Sequence, residues 1–530
     1  MIIEQTGDYC RQGSSRTSEA DQALPDTHTP KGIMTRAVVT LIGSVFGGAM
    51  IFLNEVLAAR FLGVTTYGLY ALAYVLAKIG ETVSLCGLRV GILHFLPIYY
   101  KQGKMSLVVG TILASLSIPL VMGCGLSLTL WFLTPWLATE IFHKAEVIPY
   151  IRIVSLAIPF MSLSEILALT TRGFGYAKYY VIVRNVVPQI AFTIMLTLMW
   201  LAGWNQVWIG IVFVGAYIAA LVVGLISIDR ILGRDVWHIK PLLPFRKLYS
   251  YSFPILINSI LYMIITWTDL LMLGVFRTSD HIGVYRGCLQ IVLFFDMILL
   301  AFNAATCHIY PVLEKEKRHQ ELVQAYGTVT RWLVMLGIPI YLMIAYNGTD
   351  ILLLIGSEFT SGKLPLLILA SGYLMKCCVG SSGFILVLCG RQKVETINAT
   401  GAALSNIVLN LLLIPRYGLL GAAMATSISF FIICVLRVIQ VKYLMNVPTL
   451  QFWFARIVLI GAAVGLMVAV MTYLFDIGHG LWPMLLKMAS ISVLFVVGLW
   501  LFVLNHREKD VIKVIMISLC RKRITNDSEI

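Results

Sequence analysis

Apolar residues along this chain come in long unbroken runs separated by short polar breaks. From Arg36 to Asn505 the runs repeatedly reach the roughly 20 residues that a helix needs to cross a bilayer core. A membrane barrel would instead alternate apolar and polar positions over segments of about ten residues, so the spans are helices. Reading from break to break predicts fourteen, at 36–59, 66–88, 106–133, 148–171, 179–202, 206–229, 249–275, 282–308, 326–346, 363–388, 394–414, 417–440, 453–475 and 481–504. The expected fold class is an all-α integral membrane protein, with both tails on one side because the count is even.

Composition agrees: 59% of the 530 residues are apolar and 12% are charged, with a mean hydropathy of +0.87. A soluble domain carries about twice that share of charge. The net charge of +14 is mainly an orientation signal, because Lys and Arg in short loops resist translocation. One set of loops holds Lys101, Lys104, Arg172, Lys178, Arg230, Arg234, Lys240, Arg246, Lys247, Lys315, Lys317, Arg318, Arg391, Lys393 and Lys442. The opposite loops hold little beyond Arg60, Lys144, Arg277, Lys363 and Arg416. Both termini are therefore expected in the cytoplasm, with the protein in the cell inner membrane. Trp131, Trp136, Trp200, Trp204 and Trp208 fall at predicted outer ends, where amphipathic rings prefer the interface. Cations dispersed over membrane-flanking loops exclude a nucleic-acid partner.

Residues 1–35 are polar and lack the apolar stretch of a secretory signal, so they read as a disordered cytoplasmic tail. Residues 506–530 form a basic cytoplasmic tail, in which REKDVIKVIMISLCRKR has the pattern of a short helix lying on the inner leaflet. Most of the ten cysteines lie in or beside apolar segments without metal-ligand spacing and read as small core residues.

A shift of 215 residues superimposes the chain on itself. It brings FLGVTTYGLY (61–70) onto FRTSDHIGVY (276–285), pairing Gly68 with Gly283 and Tyr70 with Tyr285. The same shift pairs Asn54 with Asp269, Glu81 with Asp296, Gly175 with Gly390, Lys178 with Lys393 and Gly203 with Gly418. One offset serving separated places predicts two homologous six-helix lobes, an N-lobe over 36–231 and a C-lobe over 249–440. A cytoplasmic linker covers 232–248, and 453–505 adds two further helices.

Two stretches carry a family resemblance: YSFPILINSILYMIITWTDLLMLGVF with IGVY at 282–285, and NATGAALSNIVLNLLLIPRYGLLGAAMATSISF at 398–430. They resemble the polysaccharide transporter branch of the multidrug/oligosaccharidyl-lipid/polysaccharide (MOP) flippase superfamily, typified by O-antigen flippases. The resemblance implies fourteen helices, a V-shaped MATE-like fold and lobes that rock between inward and outward openings. It also implies a cargo: an undecaprenyl-pyrophosphate-linked oligosaccharide, such as an O-antigen or other surface polysaccharide repeat unit, moved from the cytoplasmic to the outer leaflet. Implied partners are that lipid-linked oligosaccharide, membrane lipids and other polysaccharide-assembly proteins.

Such a cargo has an anionic head on an apolar tail, so cations within spans are candidates to hold it. Lys376, about thirteen residues into span ten, is too deep to reach water by snorkelling. Arg286, Arg184 and Arg152 lie nearer helix ends, where snorkelling to headgroups is the competing explanation. Asp269, Asp296, Glu81 and Glu165 are candidate cavity or coupling-ion acids, against the competing reading of structural ion pairs. Glu165 in span four faces two alternatives itself, pairing with an arginine of span five or neutralising it. An ionised Asp near a bilayer centre costs roughly 2.5 to 3.5 kcal/mol on insertion scales, so Asp269, within an apolar run toward the outer end of span seven, needs an interior. H+ or Na+ is the candidate coupling ion, and no other cofactor or metal is expected. His94 and His308 read as helix-end polar residues, and Pro97, Pro119, Pro159, Pro188, Pro254 and Pro339 as kinks.

An enzyme is disfavoured because no catalytic motif occurs and the longest outer loop is only about residues 134–147. The runner-up is a MATE-like cation-coupled multidrug exporter. It differs in the sign expected of its cavity, since organic cations want acids and aromatics whereas pyrophosphate wants Lys and Arg.

Overall fold

The computed structural model describes residues 30–503 except 234–235, 237, 307–308, 449–451, 477 and 479. Of the expected N-terminal tail at 1–35, residues 1–29 lie outside the described residues and 30–35 are helical rather than disordered; the expected tail at 506–530 and His308 also lie outside the described residues. All regular structure among the described residues is helical. Thirteen of these helices are long and apolar enough to cross a membrane. Large apolar side chains such as Val121, Phe132, Leu459, Leu466 and Val493 point outward, as a multi-pass membrane protein requires.

The first helix, α1 (Pro30–Ser84), is 55 residues long, about 80 Å at 1.5 Å per residue and far more than one crossing. Gly63 divides it: its φ of 71° and ψ of 167° leave the helical region, and only glycine adopts that backbone without strain. The first two expected spans occupy the two limbs on either side. A turn at Cys86 (φ 46°) and Gly87 (φ 75°) then leads into α2 (Leu88–Lys101). This helix corrects the expectation of a loop here: one face packs Leu88, Ile92 and Leu96 inward, while Val90, His94 and Ile98 are exposed. There follow α3 (Met105–Trp136), α4 (Ile148–Ser155), α5 (Ala157–Gly173), α6 (Ala177–Val181), α7 (Val187–Leu201), α8 (Ile209–Leu232), α9 (Phe245–Phe276) and α10 (Ser279–Thr306).

The rest of the chain forms α11 (Ile309–Lys315), α12 (His319–Ile355), α13 (Lys363–Val379), α14 (Ser382–Leu388), α15 (Gln392–Tyr417), α16 (Leu419–Met445), α17 (Phe452–Leu474) and α18 (Leu481–Phe502). Expected span ten is interrupted, because Gly380 (φ 67°) and Ser381 separate α13 from α14. Expected span nine, 326–346, is extended at both ends as α12.

Two π-helical turns interrupt the pattern, at Leu137–Ile141 and Ile182–Val186. Each lies beside a proline, Pro135 and Pro188, whose missing N–H displaces the regular hydrogen-bond ladder.

The described chain divides into two compact units. One runs to Gly287 and includes Asn410–Gly418; the other comprises Cys288–Leu409 and the chain from Leu419 onward. In the first, Leu88, Ile92, Leu96, Val108, Ile112, Ile166 and Val183 form a core with no more than 1% exposure. In the second, α17 and α18 pack Ile457, Val464, Ile491 and Phe495 against Val334 and Ile338 of α12. Without a solvent-driven hydrophobic effect in lipid, such close packing is the main source of helix cohesion. Buried Lys487 of α18 donates to Gly478 O at 3.1 Å, while Asp350 accepts from Gly480 N at 3.0 Å, so both ends of that turn are pinned.

The 215-residue offset reappears as a reciprocal contact inside the first unit. A Cβ added at Gly68 would lie 2.9 Å from the carbonyl carbon of Ser279 and 3.0 Å from Gly283 N. One at Gly283 would lie 3.2 Å from the carbonyl carbon of Val64. Val64 and Ser279 are themselves 215 apart, so the second contact is the first with its partners exchanged, as a local two-fold axis demands. Thr65 Oγ1 donates to Asp280 Oδ1 at 2.5 Å, and these residues are also 215 apart. The repeat thus brings equivalent positions into direct contact.

Candidate functional site

The first limb of the site is set by α1 and α5. Glu81 and Ser84 face Ser162 and Glu165, each pair spaced by three, and so lie on one face of their helix. Ser84 Oγ and Ser162 Oγ are 2.5 Å apart, and Gly80 lets the two helices approach at Ile158. Both carboxylates are thereby held in one place. The left-handed turn at Cys86 and Gly87 delivers Arg89 from the start of α2, and the π-helical turn next to Pro188 delivers Arg184.

The resulting cluster is continuous. Lys78 Nζ lies 2.8 Å from Glu81 Oε2, and Arg89 Nη2 lies 3.1 Å from Glu81 Oε1. Arg89 Nε is 3.5 Å from Glu165 Oε1, and Arg184 Nε is 3.3 Å from Glu165 Oε2. The Arg89 to Glu165 contact is an ion pair without hydrogen-bond alignment, so both buried atoms retain bonding capacity. Arg184 also donates to Tyr180 OH, and Arg172 lies 5.1 Å from the centre of the Tyr180 ring.

Exposure separates the two signs. The Glu81 and Glu165 side chains are 5% and 8% exposed, whereas Lys78, Arg89 and Arg184 are 23%, 41% and 39% exposed. Two buried acids fix three accessible cations, leaving one positive charge in excess. An excess of positive charge held in place by buried acids has the chemistry to accept an anion. Glu81, Glu165 and Arg184 were legible as candidates; Lys78 and Arg89 were missed, although Lys78 precedes Glu81 by one helical turn within an apolar run.

A family model described as polysaccharide biosynthesis protein matches residues 33–317, more than half of the 530. The chain belongs to that family. A second model, MatE, matches residues 254–415, less than a third of the chain. Over 224 residues, 40% of this chain, it is 26% identical to the probable low-salt glycan biosynthesis flippase Agl15 of Haloferax volcanii. Over 243 residues, 43% of this chain, it is 25% identical to the probable flippase AglR of the same organism. The chain spans about half the length of these curated relatives, 44% and 48% respectively. Among solved structures, the lipid II flippase MurJ in an inward closed conformation shares the fold with a TM-score of 0.67 at 16% identity, over 88% of this chain and 98% of that one.

The remaining candidate residues of this family member lie elsewhere. In the second unit Lys376 pairs with Asp296, and its ammonium lies 4.6 Å and 4.7 Å from the ring centres of Tyr373 and Phe430. Lys376 is in the last turn of α13, just before the break at Gly380, rather than midway along an uninterrupted helix. Arg437 pairs with Glu395 in the same unit, with Nε 3.1 Å from Oε2.

In the first unit Arg286 is 3% exposed and pairs with Glu55, which rules out snorkelling to headgroups. Arg152 lies 5.5 Å from the Trp131 ring centre, away from the cluster. Asp269 is buried, accepting from Asn410 Nδ2 at 2.6 Å and from Tyr285 OH at 2.7 Å. Its repeat mate Asn54 is held likewise by α7, donating to Gln189 O at 2.9 Å and accepting from Thr193 Oγ1 at 2.5 Å. An acid in the apolar run is tolerated because two donors satisfy it.

His94 is exposed and stacks on Tyr251 at 4.5 Å. Cys86, Cys288, Cys377 and Cys434 are buried as expected of core residues, but Cys124 is exposed. No metal-binding group occurs among the described residues.

Proposed function

We propose that this protein is a flippase for a lipid-linked glycan, carrying an undecaprenyl-pyrophosphate-linked oligosaccharide from the cytoplasmic to the outer leaflet by alternating access. The observation that carries the reading is the cluster of Lys78, Arg89 and Arg184, three partly exposed cations held by two buried acids, with Lys78 and Arg184 on membrane-spanning segments and Arg89 at the start of the short helix α2. A pyrophosphate matches it: guanidinium groups bind phosphate oxygens through paired charge-assisted hydrogen bonds, and the surplus positive charge selects an anion. Membership of the polysaccharide biosynthesis family, one relative named as a probable glycan biosynthesis flippase and another named as a probable flippase support the same cargo class.

In this reading the protein sits in the inner membrane with both termini cytoplasmic, so the cluster lies toward the leaflet where the cargo is loaded. O-antigen or another surface polysaccharide unit is the glycan, and other polysaccharide-assembly proteins act before and after it. Asp269 is the proposed site for a coupling H+ or Na+, since a buried carboxylate with two donors responds strongly to either. The Lys376 and Asp296 pair is the proposed counterpart in the second unit, exchanging its internal partner for the cargo.

The match to the MatE model favours a second reading, a cation-coupled multidrug exporter. The sign of the cluster argues against it, because its one positive charge in excess repels an organic cation. Proteoliposomes separate the two. Flipping of a fluorescent polyprenyl-pyrophosphate glycan, lost in Arg89→Gln/Arg184→Gln, supports the flippase; ethidium efflux with no lipid flipping supports the exporter.

A further inference from the structure

Positions 67, 70, 74, 78 and 81 of α1 fall on one face of the helix and are all polar or aromatic: Tyr67, Tyr70, Tyr74, Lys78 and Glu81. The face changes character along its length. Toward Ser84 it is ionic and joins the phosphate-type cluster; toward Gly63 it is aromatic. Tyr74 stands at the junction, with Lys78 Nζ 5.9 Å from its ring centre on one side and the Arg286 guanidinium 4.4 Å from it on the other.

Around Tyr74 the chain gathers further rings. Trp267 of α9 lies 5.9 Å away and Phe213 of α8 lies 5.6 Å away, both edge-on. Tyr217, one turn along α8, has Lys78 Nζ 5.7 Å from its ring centre. Tyr67, Tyr70 and Phe213 are buried and form the backing, whereas Tyr74, Tyr217 and Trp267 are partly exposed. Arg286 also lies over the Trp267 ring, 5.5 Å from its centre, but it carries no net charge into this patch, since Glu55 pairs with it and also accepts from Tyr67 OH at 2.5 Å.

A neutral aromatic wall rimmed by fixed hydrogen-bonding groups suits a neutral ring with apolar faces and a polar edge. A pyranose has that form: its C–H faces are weakly positive and stack on the negative faces of aromatic rings, while its hydroxyls bond at the rim. The wall begins one helical turn, about 6 Å over four residues, from Lys78. That is the size of the step from a phosphate to the sugar it esterifies.

We propose that Tyr74, Tyr217 and Trp267 form a stacking shelf for the sugar residue joined directly to the phosphate of the cargo. The inference rests on the phosphate reading of the Lys78, Arg89 and Arg184 cluster. It makes this protein a reader of the first sugar as well as of the charge.

The test uses the purified full chain and four probes: a short-chain polyprenyl pyrophosphate, bare or carrying one glucose, galactose or N-acetylglucosamine, with affinities from thermophoresis. At least one glycosylated probe is expected to bind roughly threefold to tenfold more tightly than the bare one, the worth of an aromatic contact. Trp267→Leu removes that increment and leaves bare-probe affinity unchanged; Trp267→Phe, which keeps a ring, retains part of it. Tyr217→Leu, on a different helix, loses part of the same increment and serves if Trp267→Leu does not fold. Arg184→Gln weakens all four probes alike.

No increment in the wild type, or an increment that survives both leucine variants, overturns the shelf and leaves the phosphate site standing. Bare-probe affinity unchanged by Arg184→Gln overturns the phosphate reading and the shelf with it.

Discussion

Replacing Gly68 by alanine places a methyl group where the backbone of α10 already lies. The added Cβ would be 2.9 Å from the Ser279 carbonyl carbon and 3.0 Å from Gly283 N, whereas ordinary contact begins near 3.4 Å. These are backbone atoms on a packed helix, so relief requires the two helices to separate by at least half an ångström. Overpacking of this kind costs about 1 to 3 kcal/mol. Alanine returns up to about 1 kcal/mol through its better helix propensity, which hides part of the cost. Gly401→Ala removes that ambiguity, because this helical glycine of α15 has nothing within 4 Å of its added Cβ. Gly68→Ala is therefore expected to be less stable than Gly401→Ala by about 1 to 3 kcal/mol in reversible unfolding of the detergent-solubilised protein. The repeat adds a sharper demand. Gly283→Ala should cost the same as Gly68→Ala within about 0.5 kcal/mol, and the double variant should cost less than the sum, since helices parted for one methyl admit the other. Equal stability of Gly68→Ala and Gly401→Ala, or strict additivity of the double variant, refutes the reciprocal contact.

Three further outcomes follow from the buried and paired charges. Lys376→Ala leaves Asp296 without its cation and should abolish surface glycan at normal protein level, measured by glycan staining and immunoblot; normal display removes Lys376 from the transport site. Glu165→Gln frees Arg89 and Arg184 from one acid, so a polyprenyl-pyrophosphate probe should bind about tenfold more tightly while flipping slows, read by binding and proteoliposome assays on the same preparation. Asp269→Asn keeps the shape and removes the charge, and should leave probe binding intact while making flipping insensitive to an imposed H+ or Na+ gradient; a retained gradient response places coupling elsewhere.

The spans were legible because lipid imposes one simple rule, and each expected run overlaps helical structure, although those at 148–171 and 363–388 are each divided between two helices. Less of the local structure could be read. The segment RVGILHFLPIYYK has only fourteen residues with its preceding leucine, too few to span, and its polar positions resembled a loop. The helical face that it buries becomes evident only beside α3 and α5. Gly68 and Gly283 announced a repeat, but nothing in the offset said that the two copies touch.

Within the site, pairing of Glu165 with an arginine of span five was one of two alternatives readable from adjacent spans, and Arg184 Nε lies 3.3 Å from Glu165 Oε2. Asp296 and Lys376 were assigned to separate roles, one to a coupling ion and the other to cargo. They are 80 residues apart, and only the packing of α10 with α13 joins them. Arg89 was overlooked for a different reason: it lies at a helix start, where a cation ordinarily snorkels, and the left-handed turn at Gly87 that redirects it has no sequence signature beyond the glycine.

The most direct measurement is leaflet-specific flipping of a fluorescent polyprenyl-pyrophosphate glycan in proteoliposomes containing the purified full chain. The wild type is expected to equilibrate the probe across the bilayer, and Arg89→Gln/Arg184→Gln, folded by size exclusion, is expected to fall to the rate of empty liposomes. A double variant that flips the probe at the wild-type rate would contradict the account, because the cations would then have no part in carrying the head group.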